Sequence, residues 1–180
     1  MNAQLQPVEY RELLLGLGHS RVKRIKWTGV PQVFTNLTTL DIDPNVGADV
    51  VHDLNVMPYP FEDESYDEIH AYEVLEHCGR QGDAKFFFGQ FAEFYRILKP
   101  GGYFCLTVPM WDSPLAWGVP DHVRCMPKDL FAFLDPRYYD FSNENSGKAD
   151  YRPLLGTTNF QICNFLESEH QLAVILKALK

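Results

Sequence analysis

Glu12-Leu13-Leu14-Leu15 runs directly into Gly16-Leu17-Gly18. Consecutive leucines with neither alternating nor helical spacing predict a strand buried on both faces. Two glycines one residue apart predict a tight turn whose backbone adopts positive φ and lets a ligand approach. Strands buried on both faces belong to layered α/β sheets, and open parallel sheets bind ligands at the carboxyl ends of their strands. The pair therefore constrains both the architecture and the place of a site.

The rest of the chain fits that frame. Asn36 to Ile42 is strand-like and is stopped by Pro44. Ala48 to Leu54 and Tyr66 to Tyr72 read as two further strands, with Pro58 and Pro60 forcing an extended loop between them. From Asp83 to Lys99, Phe87, Phe91, Phe94 and Leu98 follow helical spacing, Asp83 can cap the start, and Pro100-Gly101-Gly102 ends the helix. Tyr103 to Val108 is a fifth strand. Residues 112–153 are irregular and aromatic, with one short helix expected near Pro127 to Leu134. Phe160 to Phe165 and Leu172 to Leu179 predict a terminal antiparallel hairpin, although Leu172 to Lys180 fits a helix equally well. The expected fold is a Rossmann-like, mostly parallel sheet with helices on both faces and that hairpin at the end. Residues 1–180 form one domain in this reading, with 110–153 as a substrate lid. No internal repeat is evident.

At 46% hydrophobic residues the chain is too apolar for a disordered one. Its formal net charge of -8 disfavours a general affinity for nucleic acid, which needs basic surface. Cys78, Cys105, Cys125 and Cys163 are widely spaced and form no CxxC pair, which argues against zinc and against a disulfide framework. Met1 to Tyr10 lacks the pattern of a secretory signal, and no apolar run reaches the ~20 residues needed to span a bilayer. A cytoplasmic protein with no membrane partner is expected; the oligomeric state is not legible.

Asp41 follows Gly18 by 23 residues and ends the next strand. A carboxylate there can accept hydrogen bonds from both ribose hydroxyls of an adenosine-type ligand. Asp53-Leu54 offers a polar group for the edge of an adenine and an apolar one for its face. A nicotinamide fingerprint requires a third glycine at position 21, which holds Arg21.

In chain order come Leu15-Gly16-Leu17-Gly18, Leu40-Asp41-Ile42-Asp43-Pro44, His52-Asp53-Leu54, Phe61-Glu62-Asp63-Glu64-Ser65-Tyr66-Asp67, Leu75-Glu76-His77 and Arg96-Ile97-Leu98-Lys99-Pro100-Gly101-Gly102. This series resembles the class I S-adenosylmethionine-dependent methyltransferases, in the small branch with PFxDxSFD, LEH and RxLKPGG motifs. The resemblance spans residue 12 to about 110, with Asp121-His122-Val123-Arg124 similar to a downstream DPxHxR-type segment. It implies S-adenosylmethionine as cofactor. Leu15, Gly16 and Gly18 would cradle its methionine part, Asp41 the ribose, and Ile42, Asp53 and Leu54 the adenine. Tyr72 and Glu73 would lie beside the sulfonium and the acceptor. The chain departs from the family at Leu14, where many members are acidic, and at Ser20, the third small position.

Methyl transfer needs alignment of a nucleophile and exclusion of water, with a base only if the acceptor loses a proton. His122, Glu73 and His77 are the catalytic candidates; for Glu76-His77, capping of the following helix or packing under the cofactor is the blander alternative. No sequence-adjacent ligand set points to a metal, so activity is expected to survive a chelator. The acceptor is not legible: a small molecule or glycan is favoured, over nucleic acid, protein, or a non-catalytic cofactor-binding role in assembly.

Overall fold

The computed structural model describes residues 9–142 and 149–180. Residues 1–8, most of the segment read for a leader, and 143–148, part of the expected lid, lie outside the described residues. Among the described residues the strands are β1 (Glu12–Leu15), β2 (Leu37–Asp41), β3 (Val50–Val51), β4 (Tyr66–Tyr72), β5 (Leu98–Pro109), β6 (Phe160–Glu167) and β7 (Gln171–Ala178). They form one sheet in the order β3-β2-β1-β4-β5-β7-β6. The first five in that order run parallel; β7 is antiparallel to both β5 and β6. The tail is therefore the hairpin, not a helix: Leu172, Val174, Leu176 and Ala178 pack into the main core while Ala173 and Ile175 pack on the other face, the period of a strand buried on both sides.

Leu15 pairs with both Leu40 and Ala71, so β1, β2 and β4 end level with one another. The chain leaves β1 toward β2 on one side and continues from β4 to β5 on the other. The carboxyl ends of β1 and β4 thus flank the topological switch point, where such sheets bind ligands.

Helix α1 (Ala84–Ile97) is capped by Asp83, whose carboxylate accepts from the Phe86 N–H. Its Phe87, Phe91, Phe94 and Ile97 pack with Ile69, Phe104 and Leu106 in the main core. Arg96 then ties the helix to the loop before β4 through the carbonyls of Tyr59 and Phe61 and the carboxylate of Asp63, braced by Glu93 one turn back on the same helix. This contact links the RxLKPGG and PFxDxSFD segments physically. Short helices α2 (Pro114–Gly118), α3 (Lys128–Ala132), α4 (Arg137–Ser142) and α5 (Arg152–Leu155) follow β5.

The second face is covered differently from the expected row of helices. Residues 19–36 contain no α-helix and cross it as an extended strap. Val22, Ile25, Val30 and Val33 are poor helix formers, and Gly29 and Pro31 break what remains. Among the described residues the helical element packed in this face's cluster is the 3-10 turn Pro44–Val46, whose Val46 joins Leu14, Leu17, Ile25, Tyr72, Cys105 and Ile175. Leu14, at the place where relatives are often acidic, is part of that apolar cluster. Lys23 pins the strap. Its ammonium meets Glu12 at 2.9 Å and also Glu68, with all three side chains at most 1% exposed.

Candidate functional site

A cavity of about 380 Å³ opens at the carboxyl ends of β1, β2 and β4. Gly16, Gly18, Asp41, Ile42, Asp53, Leu54, Glu73 and His77 line it, together with His52, Asn55, Val74 and Asp121. Eight residues singled out from sequence thus converge on one concavity, within the size range of ligand pockets.

Its donor half is built from backbone. Gly16 and Gly18 have φ of 63° and 51°. A Cβ on Gly16 would stand 2.2 Å from Val74 Cγ2, whereas one on Gly18 would meet nothing within 4 Å. The first glycine lets the turn pack; the second leaves space above it. The Gly18 N–H donates to Asp41 Oδ2 and the Asp43 N–H to Asp41 Oδ1, each at 2.9 Å. Each oxygen retains a further lone pair, so the fixed carboxylate can still accept from a vicinal diol. Ile42 is 63% exposed on the cavity wall, an apolar surface suited to a flat ring. Asp53 Oδ1 accepts from the N–H and the Nδ2 of Asn55, whose own Oδ1 accepts from the Gly79 N–H. The open space at Gly18, the anchored Asp41 and the exposed Ile42 fit the nucleoside and amino-acid parts of S-adenosylmethionine.

Two expected cofactor contacts are not made by side chains. Tyr72 turns to the opposite face: its hydroxyl accepts from the N–H groups of Arg24 and Ile25 and lies 2.7 Å from His70 Nδ1. Alternation along β4 sends Tyr72 under the strap. Leu15 is fully buried, leaving only its backbone near the turn.

At the other end, Glu73 leaves β4 with φ of 57° and accepts from Gln171 Nε2 at 2.8 Å. His77, on the 3-10 turn Leu75–His77, has its Nδ1 3.2 Å from Asp121 Oδ2. His122 stands edge-on to His77, ring centroids 4.7 Å apart, behind the cavity wall rather than on it. Glu76 is buried beneath the same turn, and burial together with the charge of Glu73 raises its carboxyl above the usual range. Neither Glu76 nor His77 caps α1, whose cap is Asp83. Sequence reading missed the lining His52, Asn55, Val74 and Asp121. Asp121 was the most accessible of these, because it sits in the segment already flagged around His122.

Most of the expected lid lies elsewhere. Trp111 and Trp117 are 57% and 67% exposed and contact each other, Trp117 Nε1 donating to the Trp111 carbonyl. Tyr139 belongs to the main core, and Arg124 is buried against the Leu75 carbonyl. Among the described residues of 110–153, Asp121 lines the cavity. No helix among the described residues is long and apolar enough to cross a membrane.

Residues 15–106 match the family model described as a methyltransferase domain. No curated protein matches the chain in sequence. Many solved structures share its fold, three of them as follows. One is the complex of the Haloferax volcanii Trm112 methyltransferase activator with a methyltransferase: 15% identity, 98% of this chain and 86% of that one, TM-score 0.57. The second is a SAM-dependent methyltransferase from Archaeoglobus fulgidus: 13% identity, 93% and 86% covered, TM-score 0.55. The third is the N-methyltransferase NodS from Bradyrhizobium japonicum: 14% identity, 95% and 86% covered, TM-score 0.55.

Proposed function

The chain belongs to the S-adenosylmethionine-dependent methyltransferase family, and from that premise we propose that it methylates a small-molecule or glycan acceptor entering beside Glu73 and His77. The observation that carries this reading is the cavity itself, with an anchored carboxylate and a glycine turn at one end and ionisable groups at the other. S-adenosylmethionine supplies a methyl group already activated on a sulfonium, so the protein's work is alignment and exclusion of water.

In this reading the backbone at Leu15, Gly16 and Gly18 receives the amino-acid part of the cofactor. Asp41 accepts from the ribose hydroxyls, and Ile42, Asp53 and Leu54 frame the adenine. Glu73 and His77 face the acceptor, with His122 supporting His77 from behind. Any proton released by the acceptor passes to this group. The net charge of -8 favours a small or uncharged acceptor over a phosphate backbone. Four free cysteines suit a reducing, cytoplasmic setting.

Calorimetry with S-adenosylhomocysteine tests the donor site, with one site per chain expected. Labelled S-adenosylmethionine offered to separated metabolite, oligosaccharide, RNA and protein pools tests the acceptor class. Label confined to RNA or protein would overturn the acceptor assignment. Failure to bind the homocysteine product would instead favour a non-catalytic role in assembly.

A further inference from the structure

Glu76 is 1% exposed, and neither of its carboxylate oxygens has a hydrogen-bond partner. A buried carboxylate with both oxygens bare has lost its hydration without replacement, which native interiors rarely leave unanswered. A second orphan lies beside it: Nδ1 of His122 is also buried and unpartnered. His77 completes the group. One oxygen of Glu76 and one ring nitrogen from each of His77 and His122 lie within 4.8 Å of one another.

The backbone builds this juxtaposition. The N–H groups of Val123 and Arg124 both donate to the Glu76 carbonyl, at 2.9 and 3.3 Å, and clamp the segment carrying His122 onto the turn carrying Glu76. Arg124 lies close enough to attract a charge on Glu76 but gives it no hydrogen bond. Arg124 spends its guanidinium on the Leu75 carbonyl and on Gln90 Oε1. Glu73 adds negative charge from the cavity side.

We propose that Glu76, His77 and His122 form a site for a divalent first-row transition cation at the acceptor end of the cavity. Two imidazoles and a carboxylate select zinc, cobalt, iron or manganese over magnesium and calcium, which prefer oxygen alone. Around a cation with ligands at about 2.1 Å, the donor atoms stand about 3.4 Å apart in tetrahedral geometry, so the side chains close in by roughly an ångström on binding. The Asp121 carboxylate at His77 Nδ1 resembles the second-layer contact that fixes the tautomer of a ligating imidazole. Three protein ligands leave a coordination position open, and because His77 lines the cavity, that position suits an oxygen or nitrogen donor of the acceptor. The ligand-type residues Glu68, His70 and Cys105 also lie together, but they are sealed in the core, where Lys23 already neutralises Glu68. The proposal runs against the expectation of metal independence, which rested on sequence spacing, whereas His122 reaches Glu76 through space.

The cation site stands on its own geometry; only its assignment to the acceptor end rests on the methyl-donor reading. Chelator-treated intact protein is titrated with cobalt(II), followed by visible absorption, and with zinc(II), followed by calorimetry. One equivalent per chain is expected, with ligand-field bands that zinc abolishes. Glu76→Gln and His122→Ala should each weaken cobalt binding at least tenfold while S-adenosylhomocysteine affinity stays within about threefold, which also verifies folding. Absence of cobalt bands and of zinc heat in the intact protein overturns the proposal, as does cobalt affinity unchanged in both variants. Loss of homocysteine-product binding with cobalt binding intact would instead sink the donor reading alone.

Discussion

The Gly18 N–H donates to Asp41 Oδ2 at 2.9 Å, joining two segments 23 residues apart into one unit. The carboxylate that would hold a ribose also fixes the turn that would hold the amino-acid part. Loss of Asp41 therefore acts twice on the donor half of the cavity. Asp41→Ala should weaken S-adenosylhomocysteine binding by about 1.5–3 kcal/mol, the range for hydrogen bonds to a charged group. Calorimetry measures it directly, and affinity within twofold of the unmodified protein would remove Asp41 from the ribose role.

The two turn glycines should respond differently to alanine. Gly16→Ala drives a methyl group into Val74 at positive φ, and overpacking of this kind costs about 1–3 kcal/mol. Val74→Ala in the same chain should recover part of that loss. Gly18→Ala meets open space, so its stability cost is limited to positive φ, about 1 kcal/mol. It should nevertheless impair binding, because the methyl group projects into room the ligand needs. Chemical denaturation and calorimetry on both variants separate the effects. Equal stability losses at the two positions would contradict this assignment.

Lys23 bridges Glu12 and Glu68, and all three side chains are buried. Glu12 also holds the far end of the strap, accepting from the N–H groups of Thr35 and Asn36. Lys23→Met keeps the aliphatic stem and strips the charge, leaving two carboxylates facing each other without water. Breaking a buried pair in this way costs about 3–5 kcal/mol. Urea unfolding should show the loss. A decrease below about 1 kcal/mol would mean that the strap is held by its apolar contacts alone.

What the sequence made legible follows from range. β1, its glycine turn and α1 announce themselves through local spacing, and the structure places them within a residue or two of expectation. Asp41 was legible because its role depends on a strand end and a fixed offset. The strap was legible only as a poor helix, since its order comes from Lys23 meeting Glu12 and Glu68 across the sheet. Tyr72 was assigned to the cavity because it ends β4, yet strand alternation turned its phenol to the other face. The pairing of Glu76 with His122 depends on backbone bonds between segments 46 residues apart in the chain, and no local pattern encodes it. Trp111 and Trp117 satisfied the composition of a lid and not its position.

His70 gives the fold a defined acid limit. Its ring is fully buried, with Nδ1 2.7 Å from the Tyr72 hydroxyl and Nε2 3.7 Å from Glu68 Oε1, too far for a hydrogen bond. Burial lowers the imidazole below its usual 6.5, outweighing the attraction of Glu68. Burial alone would raise Glu68, but His70 and the Lys23 ammonium outweigh it and hold that carboxylate below its usual 4.5. Both shifts act in the same direction. Between the folded pKa of His70 and 6.5 the unfolded chain binds a proton that the folded chain does not, so stability falls as the pH drops through that window. Below 4.5 the unfolded chain also protonates Glu68 first, and stability falls again. Each such proton contributes a slope of about 1.4 kcal/mol per pH unit. His70→Asn removes the first step and should flatten the dependence of the urea midpoint on pH just below 6.5, and because His70 helps to hold Glu68 down it should also lessen the loss below 4.5. A midpoint just as steep in that variant would assign the acid sensitivity to other groups.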